Sequence, residues 1–182
     1  GTFNLTDAEI AYIQDGSEGI VIGKAITGAH TIIVGEITFN DPVTIQTPAG
    51  GSIAVNGQIT GAGNASVTLI GSGATTTLNE DIVTAGEAIT IDDAVEIGVA
   101  SVLLDTTNGG GTPAGATITI TGTVNSIAGQ NYALTLTPGT SGNVDLQGAV
   151  GGTRPLSTFT ITNSPAPQVD LDNVIATGAI SI

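Results

Sequence analysis

Three short stretches of the sequence decide the fold: ITITGTV (residues 118–124), VDLQGAV (residues 144–150) and VDLDNVI (residues 169–175). Each has aliphatic residues at its first, third and seventh positions, which predicts a short strand with one buried side, a corner and a second strand. The middle aliphatic residue recurs after 26 and then 25 residues. A repeat of this length is typical of one coil of a β-solenoid, in which each strand lies parallel to its equivalent in the next coil.

The same spacing occurs four times earlier in the chain. From the first copy to Ile120, the middle positions are 16, 23, 13 and 29 residues apart, so the coil register stays open before residue 120. Alternating strands between the copies supply further sides of the coils. The earlier copies are Ile37/Phe39/Val43, Ile53/Val55/Ile59, Thr76/Leu78/Ile82 and Ile89/Ile91/Val95, and the alternating strands contain Val67/Leu69, Val102/Leu104, Leu134/Leu136 and Phe159/Ile161.

The fourth and fifth positions of the repeat predict polar corners. Asn and Asp side chains bond backbone groups at turns, and amides stacked coil above coil can bond along the axis, so we expect each position to form one column. Glycine at the fifth position is typical of corners that need unusual backbone angles. The fourth position holds Asn40, Asn56, Asn79, Asp92, Thr121, Gln147 and Asp172, and the fifth holds Asp41, Gly57, Glu80, Asp93, Gly122, Gly148 and Asn173.

The composition fits a thin, repetitive β structure and excludes several classes of partner. Of 182 residues, 40% are hydrophobic but 3% aromatic, so the interior must consist of Ala, Val, Ile and Leu. The net charge of −14, with Lys24 and Arg154 as the bases, argues against nucleic acid and anionic membranes as partners. The most apolar run, residues 99–104, is too short for membrane insertion. The absence of Cys excludes disulfides and suits an exported bacterial protein.

The N-terminal stretch departs from the repeat. Residues 5–14 predict a short helix, in which Thr6 and Glu9 have the spacing of a capping box and Leu5, Ile10 and Ile13 face the core. We therefore divide the chain into two parts. Residues 1–35 hold a helix-containing insert and the first strands, and residues 36–182 hold the solenoid coils of a longer repeat protein.

The C-terminal residues 178–182 end in strand-like alternation, and the chain begins without Met or a signal peptide. An uncapped strand invites pairing. We expect neighbouring coils of the same chain, or of an identical chain, to stack end to end on this one.

A resemblance to a known family lies in five segments: LTDAEIAYIQDGSEGIVIG (residues 5–23), EITFNDPVTIQTPAGGSIAVNGQITGAGNASVTL (36–69), TTTLNEDIVTAGEAITIDD (75–93), LDTTNGGGTPAGATITITGTVNS (104–126) and AVGGTRPLSTFTITNS (149–164). These segments resemble the β-strand repeats of filamentous-haemagglutinin-like adhesins, very large surface exoproteins of cyanobacteria and related Gram-negative bacteria. The resemblance covers most of the chain and concerns scaffold residues, without a shared catalytic constellation. It implies a right-handed parallel β-helix, an extracellular or cell-surface location, and a role in adhesion or matrix.

Clusters of acidic residues are the candidate sites for chemistry. Two carboxylates can act as acid and base in glycoside hydrolysis, and a group of them can hold Ca²⁺ through oxygen ligands. Acids at corners also keep a fibre soluble. The clusters are Glu80/Asp81, Asp92/Asp93/Glu96 and Asp170/Asp172, and the weak calcium candidates are Asp92, Asp93 and Glu96.

Other chemistries receive little support from the sequence. His30, the single histidine, has no nucleophile-elbow sequence beside it, so we interpret it as an exposed loop residue. Lyases that act on acidic sugars need basic groups, but the two bases are about 130 residues apart. Thr-x-Thr pairs at 117–121, 135–137 and 158–162 are a pattern of ice-binding solenoids, although Thr is favoured on the outward side of any strand.

We therefore expect a non-catalytic structural rod or fibre segment of an extracellular bacterial adhesin or matrix protein, without a cofactor. The alternative is a carbohydrate-binding or carbohydrate-cleaving β-helix with an acidic groove, which would have surface glycans as partners. The two differ in the placement of carboxylates. An enzyme should project them from adjacent coils of one face, whereas a spacer should carry them scattered on corners.

Overall fold

The chain folds into seven stacked coils of parallel strands, counted over the described residues, preceded by one short helix. This computed structural model describes residues 7–13, 15–162 and 168–182. The predicted parallel β-helix with a short N-terminal helix is confirmed. Its elements are α1 (Asp7–Ile10), β1 (Ile20–Gly23), β2 (Thr31–Val34), β3 (Ile37–Phe39), β4 (Val43–Gln46), β5 (Ser52–Val55), β6 (Ile59–Gly61), β7 (Val67–Leu78), β8 (Ile82–Thr84), β9 (Ile89–Ile97), β10 (Ser101–Asp105), β11 (Ile118–Ile120), β12 (Val124–Ser126), β13 (Ala133–Thr137), β14 (Val144–Leu146), β15 (Phe159–Ile161), β16 (Val169–Leu171) and β17 (Ile180–Ser181).

Each coil has three faces. Face 1 stacks β1, β4, the start of β7, the start of β9, β11, β14 and β16. Face 2 stacks β2, β5, the end of β7, the end of β9 and β12, and bridges at Val150 and Val174 continue it. Face 3 stacks β3, β6, β8, β10, β13, β15 and β17. Coils 1 to 7 begin on face 1 at Ile20, Val43, Val67, Ile89, Ile118, Val144 and Val169, so that a coil takes 22 to 29 residues.

The core is a continuous aliphatic column inside the coils. Alternate residues of each strand point inward, as the buried-intermediate-buried pattern of β11, β14 and β15 shows. Leu146, for example, is 2% exposed and stacks between Ile120 and Leu171. Two aromatic residues, Phe39 and Phe159, are fully buried on face 3. The interior predicted from the composition is therefore correct except for these two rings.

The seven copies of the spacing do not occupy equivalent places, which corrects the expected single repeat. The last four copies begin on face 1, and Ile89 pairs there with Ile118. The copies that begin at Ile53 and Thr76 lie on face 2, where these two residues pair with each other. The copy at Ile37 begins on face 3. The irregular spacings before residue 120 arise because the same strand-corner-strand pattern occurs at three different corners of the coils.

The two expected polar columns are likewise divided among corners. Asn79 Nδ2 donates to Asn56 Oδ1 (2.7 Å) between faces 2 and 3, and Thr121 Oγ1 donates to Asp92 Oδ1 (2.7 Å) between faces 1 and 2. The corner glycines were expected to provide unusual backbone angles, but Gly122 has no positive φ. A Cβ on Gly122 would instead overlap the backbone of Asp93 in the coil before it.

Helix α1 is shorter than predicted because its backbone hydrogen bonding changes from the α-helical to the 3₁₀ type after one turn. Tyr12 N donates to Glu9 O and Ile13 N to Ile10 O, which are three-residue bonds. Ile10 is buried as expected, but Ile13 is 36% exposed, which corrects its predicted place in the core. Leu5, Thr6 and Gln14 of the predicted helix lie outside the described residues, and so does the Thr6 half of the capping box.

The helix covers one edge of the first coil. Asp7 Oδ1 accepts a 2.9 Å hydrogen bond from Thr38 N of β3, and Ile10 joins the core cluster. Strands β1 and β2 already pair with coil 2. Coil 1 therefore straddles the division expected between residues 35 and 36.

Candidate functional site

The three acids proposed as calcium ligands share strand β9 but point in different directions. Asp92 is exposed and bonds Thr121, whereas Asp93 is 4% exposed at the corner. Glu96 lies on face 2 and forms an ion pair with Arg154. The described part of the chain contains no group of three or more His, Cys, Asp or Glu residues that could hold a metal ion.

Asp93 turns inward at a bulge in the neighbouring coil. Ile70 pairs with Asp92 and Thr75 with Ala94, so residues 71–74 of β7 face Asp93 alone. A Cβ on Gly71 would overlap the Asp93 carboxylate, so glycine is what leaves room for it.

The Asp93 carboxylate is held by two donors. Ala94 N donates to Oδ1 (2.9 Å) and Thr76 Oγ1 donates to Oδ2 (3.1 Å). Burial raises the pKa of Asp93 above its ordinary value, the hydrogen bonds from Thr76 and Ala94 oppose this shift, and the charge of Asp92 adds to it.

Arg154 connects three coils on face 2. Its Nη2 pairs with Glu96 Oε1 of coil 4, and its Nε donates to Ser126 O of coil 5 (2.5 Å). Asn125 Oδ1 accepts from the backbone N of Thr153 and of Arg154, each at 3.0 Å. The Glu96 and Arg154 side chains are about one-third exposed, at 31% and 32%. This Arg154 clamp fixes the corner of coil 6 to the two coils before it.

The two remaining acidic clusters lie on coil 3 and on the last coil. Asp81 Oδ1 accepts from Leu103 N (2.8 Å) and so joins coils 3 and 4, while Glu80 is exposed. Asp170 and Asp172 are exposed on the last coil.

Asp105 is a buried acid that the sequence reasoning did not single out. Asp105 is 4% exposed, and it accepts hydrogen bonds from Thr107 N and Oγ1 (both 2.6 Å) and from Gly109 N (2.8 Å). An Asp followed by Thr, Asn and Gly is typical of a turn in which the Asp side chain bonds nearby backbone. The local sequence DTTNGGG could therefore have predicted this corner loop.

A second missed feature is a pair of stacked carboxylates on face 1. Asp145 and Asp170 are in register in adjacent coils, and they follow an outward column of four threonines. Asp145 also accepts from Gln147 Nε2 (2.9 Å). The Asp at the second position of both VDLQGAV and VDLDNVI was the available signal. The threonines of this column are Thr44, Thr68, Thr90 and Thr119.

The threonine column stands alone on face 1. The next outward column contains Gln46, Ile70, Asp92 and Thr121. The paired threonine columns of an ice-binding surface are therefore not formed there. His30 is exposed, as interpreted from the sequence, and its carbonyl accepts from Ser52 N (3.1 Å).

Comparison with protein-family models, with curated proteins and with solved structures finds no match to this chain. The resemblance to filamentous-haemagglutinin-like adhesins stays a prediction. Within the described ranges, no helix has the length and apolar character needed to span a bilayer. Function must be inferred from the geometry of the coils.

Proposed function

We propose that this chain is a structural, non-catalytic rod segment of an extracellular bacterial adhesin or matrix protein. The observation that supports this role is that acidic side chains fasten one coil to another. Asp81 and Asp93 connect coils 3 and 4, Asp92 connects coils 4 and 5, and Glu96 reaches Arg154 in coil 6. These carboxylates therefore form hydrogen bonds or an ion pair between coils.

A stack fastened in this way resists separation of its coils. Force along the axis would load the hydrogen bonds between parallel strands on all three faces together. Each coil adds about 4.8 Å, so seven coils make a rod about 35 Å long. The links made by Asp81, Asp93 and Glu96 strengthen its middle, from coil 3 to coil 6.

Composition supports the extracellular part of the proposal. A chain without Cys has no thiols to oxidise outside the cell, and a net charge of −14 makes the long sides of neighbouring rods repel. The resemblance to surface exoproteins points the same way.

Two experiments test the rod role. In single-molecule pulling between marker domains, Glu96→Gln should lower the force at which the middle coils unfold, because the ion pair to Arg154 is lost. Glu36→Gln, an exposed acid of coil 1, is the matched control and should leave that force unchanged.

An antibody against the chain should label fibres outside the cells that produce it. Label confined to the cell interior would overturn the proposal.

A carbohydrate-binding or carbohydrate-cleaving role is the second candidate, because Asp145 and Asp170 project from adjacent coils of one face. Paired carboxylates are the machinery of glycoside hydrolysis. The purified chain should be incubated with plant, algal and bacterial polysaccharides. Release of reducing ends that Asp145→Asn and Asp170→Asn abolish, and that Glu80→Gln leaves intact, would replace the rod proposal with this one.

A further inference from the structure

Two Asn-Gly dipeptides occur in the chain, and the fold surrounds them differently. They are Asn56-Gly57, at the corner between faces 2 and 3 of coil 2, and Asn108-Gly109, in the loop of residues 106–117 that joins coils 4 and 5. In an Asn-Gly dipeptide the backbone nitrogen of glycine can attack the Asn side chain, because glycine has no side chain to hinder the approach. Both asparagines are exposed, so their reactivity depends on what holds each of them.

Hydrogen bonds hold both residues of Asn56-Gly57 in place. Asn56 Oδ1 accepts a hydrogen bond from Asn79 Nδ2 (2.7 Å), and Gly57 N donates to Val34 O of the preceding coil (3.2 Å). A Cβ on Gly57 would overlap the backbone of Glu36 in that coil, so this corner is closely packed. The fold therefore protects this dipeptide from reaction.

Asn108-Gly109 lies in open space on the outside of the coils. Cβ atoms on Gly109 and Gly110 would meet nothing within 4 Å among the described residues, and both glycines have positive φ, at 64° and 90°. Asn108 itself has a φ of 53°, in the left-handed region that Asn tolerates better than most residues. Below this segment Thr106 Oγ1 closes the loop, since it donates to Ala116 O (3.0 Å) and accepts from Ala116 N (2.9 Å). A change at Asn108 therefore takes place outside the stacked strands.

The Gly109 nitrogen already points its hydrogen at a carboxylate. Gly109 N donates to Asp105 Oδ2 at 2.8 Å, which is within the range for proton transfer to a general base. Asp105 is 4% exposed, and its Oδ1 accepts from Thr107 N and Oγ1, both at 2.6 Å. Its in-register neighbours, Val83 and Thr137, carry no charge. The carboxylate is therefore fixed in position beside the amide whose proton must leave.

We propose that Asn108 is a site of self-catalysed deamidation, with Asp105 as the general base. Gly109 N forms a bond to Asn108 Cγ while its proton passes to Asp105 Oδ2. The Cγ–Nδ2 bond of Asn108 then breaks, and Nδ2 takes up that proton and leaves as ammonia, so that a five-membered succinimide ring remains. Water opens the ring at either of its carbonyl groups and leaves aspartate or isoaspartate at position 108.

The reaction changes the surface of the loop and leaves the coils stacked. The product adds one negative charge to the net charge of −14, and isoaspartate also lengthens the backbone of the loop by one carbon. Pro113 O and Ala114 O of the same loop accept from Thr140 N (2.9 Å) and Ser141 N (2.8 Å) of coil 5, so the modified loop stays attached there. A long-lived chain therefore accumulates this modification without unfolding.

Peptide mass spectrometry of the purified full chain, incubated at neutral pH in isotope-labelled water, tests the site. Deamidation with uptake of one labelled oxygen should be at least about tenfold faster at Asn108 than at Asn56, because Asn56 must first break its hydrogen bonds. An isoaspartate-specific methyltransferase should modify the peptide that contains position 108. Equal rates at the two dipeptides, or no deamidation at Asn108, would overturn the inference.

Three variants, each checked for folding by circular dichroism, test the base. Asp105→Asn should slow the reaction at Asn108 by about a hundredfold, the lower end of what a positioned base contributes. Thr107→Val removes a hydrogen bond to the same carboxylate but keeps the base, so it should not slow the reaction. Asp172→Asn, which changes an exposed acid on the last coil, is the matched control and should leave the rate unchanged. A faster reaction in Asp105→Asn would mean that the carboxylate protects Asn108, and would overturn the inference.

The pH dependence of the rate is a readout that does not depend on any variant folding. Where hydroxide removes the amide proton, deamidation becomes about tenfold faster for each unit of pH. With the Asp105 carboxylate as the base, the rate at Asn108 should stay nearly constant from about pH 6 to about pH 8. A steep rise at Asn108 over this range would assign the proton transfer to hydroxide and overturn the inference.

Discussion

Thr76 Oγ1 donates a 3.1 Å hydrogen bond to Asp93 Oδ2 across the boundary between coils 3 and 4, where the two residues are 0% and 4% exposed. Thr76 stands in an inward column between Ile53 and Val95. One hydroxyl therefore replaces an aliphatic contact so that a buried carboxylate has a donor. A buried polar group without a partner would cost more than the lost contact.

Replacing Thr76 by Val should lower the free energy of unfolding by about 1–3 kcal/mol, because Asp93 loses its side-chain donor while volume is conserved. Urea denaturation followed by circular dichroism measures this. Thr77→Val, on the outward side of the same strand, is the control and should change stability by less than about 0.5 kcal/mol. Equal effects of the two substitutions would contradict the assigned hydrogen bond.

The raised pKa of Asp93 predicts a pH-dependent contribution to stability. Since the pKa is higher in the folded chain than its ordinary value of 3.8, the folded chain binds this proton more readily than the unfolded chain. The contribution of Asp93 is therefore most favourable below its ordinary pKa and is lost as pH rises through the raised pKa.

Asp93→Asn should remove this decrease, which urea titrations at a series of pH values above and below 3.8 would show. Asp170→Asn, an exposed acid on the last coil, should keep the decrease. A curve of the same shape for Asp93→Asn and the unmodified chain would contradict the burial of a charged Asp93.

Gly122→Ala should destabilise the chain by about 1–3 kcal/mol, since the added methyl group would overlap the backbone of Asp93 in the neighbouring coil. Gly35→Ala is the control, because its Cβ would meet nothing within 4 Å and its φ is not positive. We expect Gly35→Ala to be neutral or to stabilise by up to about 1 kcal/mol. Thermal unfolding of both variants decides whether close approach of coils is the reason for this glycine.

Leu146→Ala should cost about 2–5 kcal/mol, because it opens a cavity in the aliphatic column between Ile120 and Leu171. Leu146→Asp should cost about 3–5 kcal/mol by burying an unpaired charge. Thr119→Ala, outward on the preceding coil, should cost less than about 1 kcal/mol. Unfolding temperatures of both Leu146 variants that match the unmodified chain would remove this residue from the core.

Individual residues show which features of the fold could be predicted from the sequence. Alternation predicted the strands and the inward position of Leu146, because side chains in a strand change sides at every residue. It did not predict which face a copy occupies, since the pattern around Ile53 and that around Ile89 are locally the same. The Glu96 and Arg154 pair could not be predicted either, because 58 residues separate them and their contact depends on the length of coil 5 and of the parts of coils 4 and 6 on either side of it.

The sequence by itself determined that this protein is a solenoid of parallel strands with an aliphatic interior, because period-two alternation and coil-length spacing are local properties of the chain. Tertiary structure alone decided what its acids do. Asp92, Asp93 and Glu96 are neighbours in sequence, yet one is exposed, one is buried beneath Gly71, and one is paired with Arg154. The physical reason is that the direction and partner of a corner side chain depend on the coil stacked beside it.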